Sequence, residues 1–325
     1  MAIETLQLRV RQITNEAEGI NTFEFVDPDG KELPEFTAGS HIDVHIPGDF
    51  LRQYSLCNDP RERHRYVVGV LNDPNSTGGS RSMHENVRAG DLITASHPRN
   101  NFPVRDEAKH HLLLAGGIGV TPMMAMIERL QTMGANFTMH YCTKSEEQTA
   151  FRGRLADLAA EGRIINHYDG GDPSKGLDIP GLLKEHAEGT HLYYCGPTGF
   201  MLATKDGSAH WPSETVHFEY FAPVVAEKPA AADGVELGDA EFQVTISSSG
   251  ATYNIPADKS IVDVLRENGI DVDTSCEAGT CGTCKTHYLE GEPDHNDFVL
   301  TDAEQKEWVM ICCARSNSEN IVLDL

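Results

Sequence analysis

The sequence predicts a multidomain protein in which an antiparallel β-barrel is followed by an α/β doubly wound domain and an α+β domain of the β-grasp type. Three observations predict this order. Residues 1–104 contain short segments of alternating polar and apolar residues separated by turn signals, which is typical of a small barrel. Residues 105–221 alternate between apolar strands and helical patterns, which indicates a parallel sheet. After a linker at 222–238, residues 239–325 return to short strands around one helix.

The composition is that of an ordinary globular protein, with 39% hydrophobic and 23% charged residues. The net charge of −24 opposes binding to nucleic acids and anionic membranes, because phosphate groups would be repelled. It suits either a basic docking patch on a partner or a salty habitat. No apolar run is long enough for a membrane span, and the first residues lack the features of a signal peptide. A disulfide framework is not expected, so a cytoplasmic location is predicted.

The barrel prediction rests on strands with period-two alternation. Such strands are expected at 6–13, 22–26 and 41–46. The second ends in the turn D-P-D-G and the third in P-G, both of which are strong turn signals.

Two segments of the barrel carry candidate binding motifs. The strand at 52–56 reads R-Q-Y-S-L, and alternation puts its Arg, Tyr and Leu on one face and its Ser on the other. At 77–84, a pair of glycines leads into a predicted helix, so backbone N–H groups become available to a phosphate. Each motif alone is weak, since such strands and turns are common. Their order and distance make the pair specific.

The middle of the chain has the rhythm of an α/β fold, beginning with a buried strand at 111–115. The elements predicted after it are helix 121–132, strand 135–142, helix 147–160, strand 163–168, helix 181–187, strand 191–195, helix 198–206 and strand 215–221. The helix at 198–206 is expected to end early, because Asp206-Gly207-Ser208 weakens it by roughly 1 kcal/mol relative to alanines.

Two glycine motifs follow strands of this domain, where ligands of α/β sheets bind. One is G-G-I-G-V-T-P-M at 116–123, and the other is Y-C-G-P-T-G at 194–199. The first motif is not the G-x-G-x-x-G fingerprint of dinucleotide-binding domains, so a dinucleotide site is not inferred from that fingerprint. Taken by itself, Cys195 could simply be a small buried residue at the end of a strand.

If this domain binds a pyridine nucleotide, the choice between NADH and NADPH depends on what meets the 2′ position of the ribose. The strand at 135–142 is followed by T-K-S-E-E, with acids beside one lysine. A 2′-phosphate would need an arginine cluster, which this segment lacks. The segment therefore favours NADH.

The C-terminal region is expected to contain a β-hairpin, a helix and a closing strand. The predicted elements are strand 241–246, a turn at Ser249-Gly250, strand 252–255, a helix capped by Ser260 and ended by Gly269, and strand 321–323.

Four cysteines of this region match the ligand spacing of a plant-type 2Fe–2S cluster. Cys276, Cys281 and Cys284 form C-x4-C-x2-C, and Cys312 follows 28 residues later. A structural zinc site would usually pair C-x2-C with a second such pair, so the x4 gap argues against zinc. Cys312 and Cys313 are adjacent, and only the spacing from Cys284 distinguishes them. This spacing favours Cys312 as the fourth ligand. The fifteen histidines show no metal-ligand spacing on a helix and are interpreted as ordinary surface or hydrogen-bonding residues.

These motifs resemble those of the phthalate dioxygenase reductase family, within the ferredoxin–NADP reductase superfamily, across essentially the whole chain. The resemblance implies that Arg52 pairs with the phosphate of FMN, that Tyr54 packs on the isoalloxazine and that Ser55 lies near its N5 atom. It places Ser55, Thr121 and Cys195 near hydride transfer. The other residues it assigns to the cofactors are Leu56, Gly79, Ser80, Arg81, Ser82, Gly116, Gly117, Gly119, Pro122, Gly196, Pro197 and Phe221. The choice of FMN over FAD rests on the resemblance alone.

In function, the resemblance implies a reductase that oxidises NADH and delivers single electrons to a Rieske non-haem iron oxygenase. A flavin suits this role because it accepts a hydride and gives up electrons singly. A reductase for a cytochrome P450 or a di-iron monooxygenase is a second possibility. A passive electron carrier with a degenerate flavin domain is a third, which Arg52, Tyr54, Ser55 and both glycine motifs oppose.

Overall fold

A computed structural model gives the fold of the chain. It describes residues 4–74, 76, 78–221, 241–257, 259–274, 279, 282–297, 299–301 and 303–325. The predicted linker at 222–238 lies outside the described residues, as do Cys276 and Cys281. The chain forms two compact units, one running Ile3–Phe221 and one containing the residues after it.

The first unit begins with an antiparallel sheet that closes into a barrel. Along the sheet the strands follow the order β4-β3-β6-β1-β2-β5, with β7 beside β3, and a bridge between Leu56 and Val68 links its two ends. Phe23, Phe25 and Ile42 fill the interior. The elements are β1 (Thr5–Ala17), β2 (Ile20–Val26), β3 (Ser40–Ile46), β4 (Phe50–Ser55), β5 (Tyr66–Leu71), α1 (Gly79–Asn86), β6 (Leu92–Ser96) and β7 (Arg99–Asn100).

The same unit continues with a parallel five-stranded sheet of order β10-β9-β8-β11-β12. The chain first moves outward from β8 to β10 and then returns to the other side of β8, so the order reverses between β8 and β11. The strands are β8 (His110–Gly116), β9 (Phe137–Thr143), β10 (Ile164–Tyr168), β11 (Thr190–Cys195) and β12 (Val216–Phe218), and the helices are α2 (Val120–Met133), α3 (Arg152–Ala160), α4 (Ile179–Leu183) and α5 (Thr198–Gly207). Such a reversal opens a ligand crevice at the carboxyl ends of the two central strands.

Several helix boundaries differ from the prediction: α2 runs one residue further at each end, and α4 ends at Leu183 rather than 187. Helix α3 begins at Arg152 rather than 147, because Phe151 adopts a left-handed backbone with φ of 62°. Helix α4 begins at Ile179 rather than 181, since the Asp178 carboxylate accepts the Gly181 N–H at 3.0 Å and caps it. The expected early end of α5 is wrong. The helix continues through Gly207, which packs closely on α4: a Cβ there would lie 3.3 Å from Leu183.

The final strand of this sheet is also shorter than predicted. Residues 213–215 form a 3-10 turn, so β12 contains only Val216–Phe218 of the expected 215–221. The chain then leaves the sheet, although the N–H of Glu219 still donates to the carbonyl of Tyr194 at 3.3 Å.

The second unit has the predicted β-grasp arrangement of a mixed sheet and one helix. The main sheet follows β14-β13-β19-β15-β17, with β13 and β19 parallel. Ser260 and Asp263 form a capping box at the start of α6, and Gly269 follows its end with φ of 76°. The elements are β13 (Phe242–Ile246), β14 (Thr252–Ile255), α6 (Ile261–Glu267), β15 (Lys285–Glu290), β16 (Pro293–Asp294), β17 (Trp308–Met310), β18 (Arg315–Ser316) and β19 (Asn320–Leu323).

Candidate hydride-transfer and cluster sites

At one end of the barrel, the side chain of Arg52 lies against the first turn of α1. A Cβ on Gly79 would be only 2.7 Å from Nε of Arg52, so only glycine leaves room for the guanidinium there. The amino end of α1 has no side-chain cap, and the buried hydroxyl of Ser80 has no hydrogen-bond partner among the described residues. A cation, uncapped amides and an unpaired hydroxyl together fit a phosphate.

The neighbouring residues of α1 contribute differently. The hydroxyl of Ser82 donates to the carbonyl of Pro47 at 2.6 Å and ties the helix to the barrel. Arg81 is exposed, and Leu56 is fully buried in the barrel core.

Farther along β4, Tyr54 places a buried hydroxyl beside this region. The hydroxyl has no partner among the described residues, and burial raises the pKa of Tyr54 well above its usual range. Tyr54 is therefore a neutral phenol that presents an unused donor. An orphaned donor beside a phosphate cradle fits a flavin, whose ring carries several acceptors.

Ser55, at the end of β4, meets residues from two other elements. Its hydroxyl donates to Oε2 of Glu219 at 3.3 Å, and the other oxygen of that carboxylate lies 3.7 Å from Nδ1 of His41 on β3. All three side chains are buried. A buried carboxylate between a hydroxyl and an imidazole is suited to hold or move a proton.

The two glycine motifs meet at the reversal of the parallel sheet. A Cβ on Gly119 would lie 2.2 Å from the carbonyl oxygen of Cys195, and one on Gly116 would lie 2.8 Å from Pro197. The two loops therefore touch backbone to backbone. Thr121, within the first motif, reaches the barrel, since a Cβ on Gly69 of β5 would lie 2.7 Å from its methyl group. The first motif therefore lies against the barrel strand β5.

Cys195 ends β11 inside this crevice and is fully buried. Burial, with a smaller contribution from the nearby charge of Glu219, raises the pKa of its thiol well above the usual value. The thiol is therefore protonated, which excludes a nucleophilic role and leaves packing against a ligand. Gly117 has φ of 52°, and Pro122 is buried in the first turn of α2, whereas Phe221 is 44% exposed.

At the end of β9, where the ribose 2′ position is expected, the first arginine along the chain is engaged in an ion pair. Arg152 forms an ion pair with Glu146 at the start of α3. The segment holds no arginine cluster for a 2′-phosphate, which agrees with the prediction of NADH.

In the second unit, two of the predicted cluster ligands are described. Cys284 and Cys312 are buried, and the N–H of Gly279 donates to the Cys312 sulfur at 3.3 Å. Hydrogen bonds with Cys284 and then Cys313 lower the pKa of the Cys312 thiol below its usual value. Gly279 and Gly282 have φ of 67° and 78°, a conformation that favours glycine. Buried sulfurs that receive amide N–H donors fit an iron–sulfur cluster.

The comparisons with known proteins agree with this geometry. A family model of oxidoreductase NAD-binding domains matches residues 113–206, and one of 2Fe–2S iron–sulfur cluster binding domains matches residues 244–317. The tert-butanol monooxygenase / tert-amyl alcohol desaturase reductase subunit of Aquincola tertiaricarbonis is 51% identical, over 98% of this chain and 96% of that protein. A solved structure of phthalate dioxygenase reductase is 40% identical with a TM-score of 0.76, covering 99% of this chain and 98% of that one. The chain belongs to the phthalate dioxygenase reductase family.

Membership of the phthalate dioxygenase reductase family confirms the predicted fold class and the cofactor set of FMN, a 2Fe–2S cluster and NADH. It also confirms an NADH-dependent electron-transfer oxidoreductase, since the relatives are reductase subunits of oxygenase or demethylase systems. An intact type IV self-sufficient cytochrome P450 monooxygenase contains a similar unit, with 35% identity and a TM-score of 0.82 over 99% of this chain and 41% of that one. No helix among the described residues could span a membrane.

Three residues near the candidate hydride site were missed by the sequence reasoning. Glu219 lies in V-H-F-E-Y-F, where an acid among apolar residues was the available signal. Gly69 interrupts an apolar strand, which often marks a close approach of the backbone. His41 offered no signal, because it simply alternates along β3.

Proposed function

We propose that the protein is the reductase component of a Rieske non-haem iron oxygenase system, which oxidises NADH and passes single electrons through FMN and the 2Fe–2S cluster to the oxygenase. The observation that carries the proposal is the meeting of Ser55, Cys195 and Glu219 beside the glycine-motif crevice, in a chain that also carries a 2Fe–2S domain. NADH gives up two electrons together and the cluster takes one, and a flavin can do both.

Within this proposal, each part of the first unit has a role. Arg52, Ser80 and the amides of α1 hold the flavin phosphate, and Tyr54 packs on the ring. The crevice residues Gly116, Gly119, Cys195, Gly196 and Pro197 receive the nicotinamide end of NADH. Thr121 fixes the crevice against the barrel, and the neutral thiol of Cys195 excludes water without reacting. No general base is required for hydride transfer itself.

The division at 104, 221 and 238 is likewise part of the proposal, because each piece carries one cofactor. An anaerobic NADH titration of the whole protein, followed at the flavin and cluster absorbance bands, tests the electron path. We expect both chromophores to bleach. Bleaching of neither would contradict the proposed function.

For the cluster, we propose Cys276, Cys281, Cys284 and Cys312 as ligands. Cys284→Ser and Cys312→Ser should lose the cluster but keep NADH–ferricyanide activity through the flavin. Cys313→Ser is the matched control, since the neighbouring thiol should not be needed for iron. Iron content and the visible spectrum of the three variants decide the matter. Cluster loss in Cys313→Ser with retention in Cys312→Ser would reverse the assignment.

The Rieske-type partner competes with a cytochrome P450, which the similar unit in the self-sufficient monooxygenase favours. NADH-driven reduction of a purified Rieske oxygenase component and of a P450 haem domain, measured side by side, separates the two. Faster reduction of the Rieske protein is expected.

The charge of the second unit supports a basic docking patch on the partner. Residues 241–325 contain sixteen acidic and five basic residues. Because steering between opposite charges is screened by salt, electron delivery to the partner should slow as ionic strength rises. Ferricyanide reduction through the flavin is the internal reference. A cytoplasmic location remains a prediction.

A further inference from the structure

One buried carboxylate of the second unit has no task in the function proposed above. The side chain of Asp297 has no exposed surface, and its Oδ2 has no hydrogen-bond partner among the described residues. Burying a charge is costly, so a carboxylate that is buried with one oxygen unpaired needs an explanation.

The turn that follows Asp297 holds the carboxylate in place. Its Oδ1 accepts the N–H of Val299 at 3.0 Å and the N–H of Leu300 at 2.8 Å. Leu300 belongs to the hydrophobic core of the unit, so the turn is anchored. Both bonds use one oxygen only, and the side-chain carbonyl of an asparagine could accept them equally well.

Asp297 packs directly on the loop that carries the predicted cluster ligands. A Cβ on Gly279 would lie 3.1 Å from Cα of Asp297 and 3.2 Å from its Cβ. The N–H of Gly279 in turn donates to the sulfur of Cys312 at 3.3 Å. The side-chain amide of Asn296 donates to the carbonyl of Cys313 at 3.3 Å and ties the two segments together. Asp297 therefore contacts a residue that is hydrogen-bonded to a proposed ligand.

The charge of this carboxylate is not cancelled by a lysine or an arginine among the described residues. The group that faces Oδ2 is the imidazole of His295, whose Nδ1 lies 3.7 Å away, beyond hydrogen-bonding distance. Two permanent cations of the unit are engaged elsewhere. Lys285 pairs with Glu304 at 2.7 Å, and Arg315 donates to two backbone carbonyls at 2.8 and 3.1 Å.

Reduction of a 2Fe–2S cluster adds one negative charge to a site that solvent screens poorly. A buried negative charge close by repels the added electron, and the net charge around a cluster is one of the factors that set its reduction potential. A neutral side chain of the same shape would remove this repulsion while keeping the hydrogen bonds of the turn.

We propose that Asp297 sets the reduction potential of the cluster: its buried carboxylate lowers the potential, so that the reduced cluster passes its electron to the partner instead of retaining it. The proposal rests on the proposed function, which makes Cys312 a cluster ligand and a partner protein the acceptor. Val299 extends the contact with the loop, since a Cβ on Gly282 would lie 3.5 Å from its Cγ1. The same turn thus carries the charge and covers the loop.

The test compares Asp297→Asn with Glu292→Gln, which removes one negative charge from an exposed position of the same unit. Both holoproteins and the parent are titrated with reductant against a reference dye, and the cluster is followed by visible absorbance and by the EPR signal of its reduced form. At a fixed potential, we expect the ratio of reduced to oxidised cluster to rise about tenfold in Asp297→Asn, a shift of about 59 mV for a one-electron couple. Glu292→Gln should stay within about twofold of the parent, and iron content should be equal in all three.

A second variant separates charge from packing. Asp297→Glu keeps the charge and alters the fit, so its potential should lie closer to that of the parent than to that of Asp297→Asn. If Asp297→Asn does not hold iron, Asp297→Ser takes its place, because a serine hydroxyl also accepts the N–H groups of a following turn.

Three results would overturn the inference. They are an unchanged potential in the neutral variant, equal shifts in Asp297→Asn and Asp297→Glu, and loss of iron from both neutral variants, which would mean that the carboxylate holds the loop. A parent protein whose cluster accepts no electron from NADH would instead refute the proposed function.

Discussion

The two halves of the proposed hydride site make their contacts in different ways. On the nucleotide side, backbone meets backbone: Gly119 packs on the Cys195 carbonyl and Gly116 on Pro197. On the barrel side, the ligand would meet side chains with unused hydrogen-bonding groups, such as the hydroxyls of Tyr54 and Ser80. A backbone contact is either accommodated or broken, whereas a set of side chains can lose one member at a time. A substitution in the nucleotide half should therefore abolish its function in one step, whereas each substitution in the barrel half should weaken ligand binding by a part.

The largest expected effect is that of Gly119→Ala. Its φ of −62° suits any residue, so the penalty is purely steric: the new Cβ would lie 2.2 Å from the Cys195 carbonyl oxygen. We expect a destabilisation of about 3 kcal/mol, or a separation of the two loops with loss of NADH reduction. Urea unfolding and stopped-flow flavin reduction measure the two outcomes.

The matched control is Gly153→Ala, in the first turn of α3, where a Cβ meets nothing within 4 Å. That change should be neutral or stabilise the protein by up to about 1 kcal/mol. Equal behaviour of the two variants would show that the contact between the glycine motifs is not a constraint.

On the barrel side, Arg52→Ala should release FMN without unfolding the protein. The guanidinium is the charged member of the phosphate cradle, and one charge-assisted pair contributes about 2 kcal/mol, or roughly thirtyfold in FMN affinity. Fluorescence of released flavin during dialysis measures the loss. Arg9→Ala, at an exposed position of β1, is the control. Retention of FMN by Arg52→Ala would remove this arginine from the site.

The nucleotide domain also differs from the barrel in how it buries histidine. His140 and His167 hydrogen-bond at 2.9 Å across β9 and β10, and His191 and His217 do so at 3.0 Å across β11 and β12. Burial lowers the pKa of His140 and of His217 to about 4. Because the unfolded chain binds protons near pH 6.5 and the folded chain does not, stability should fall as pH decreases from about 6.5 to 4.

The expected loss is about 2 kcal/mol for each pair, after allowing for partial exposure. His140→Phe should flatten this part of the curve of unfolding free energy against pH, while His45→Asn should not. If the parent's unfolding free energy were constant between pH 6.5 and 4, the interpretation of these pairs as neutral and buried would be wrong.

The same contrast explains what sequence could and could not predict. The order of strands and helices, the two glycine motifs and Arg52-Gln53-Tyr54-Ser55 are local patterns. The structure brings the two glycine motifs together and places Ser55 against Glu219. Gly207 misled the prediction because intrinsic propensity was overruled by its packing on Leu183. Glu219 and His41 could not be paired from sequence, because 178 positions separate them and only the β3–β4 register and the end of β12 bring them together.

The smallest expected effect, and the sharpest test of gradual loss on the barrel side, is that of Ser80→Ala. Its hydroxyl is buried and unpaired among the described residues, so in the ligand-free protein its removal should be neutral or slightly stabilising. With FMN bound, the same change should cost about 1 kcal/mol, or roughly fivefold in affinity. The unfolding free energy measured with and without FMN separates these two effects. The change caused by Ser80→Ala should have opposite signs in the two measurements. A loss of stability in the ligand-free protein would mean that the Ser80 hydroxyl stabilises the fold itself. The side chains of the barrel half would then not be reserved for ligand binding.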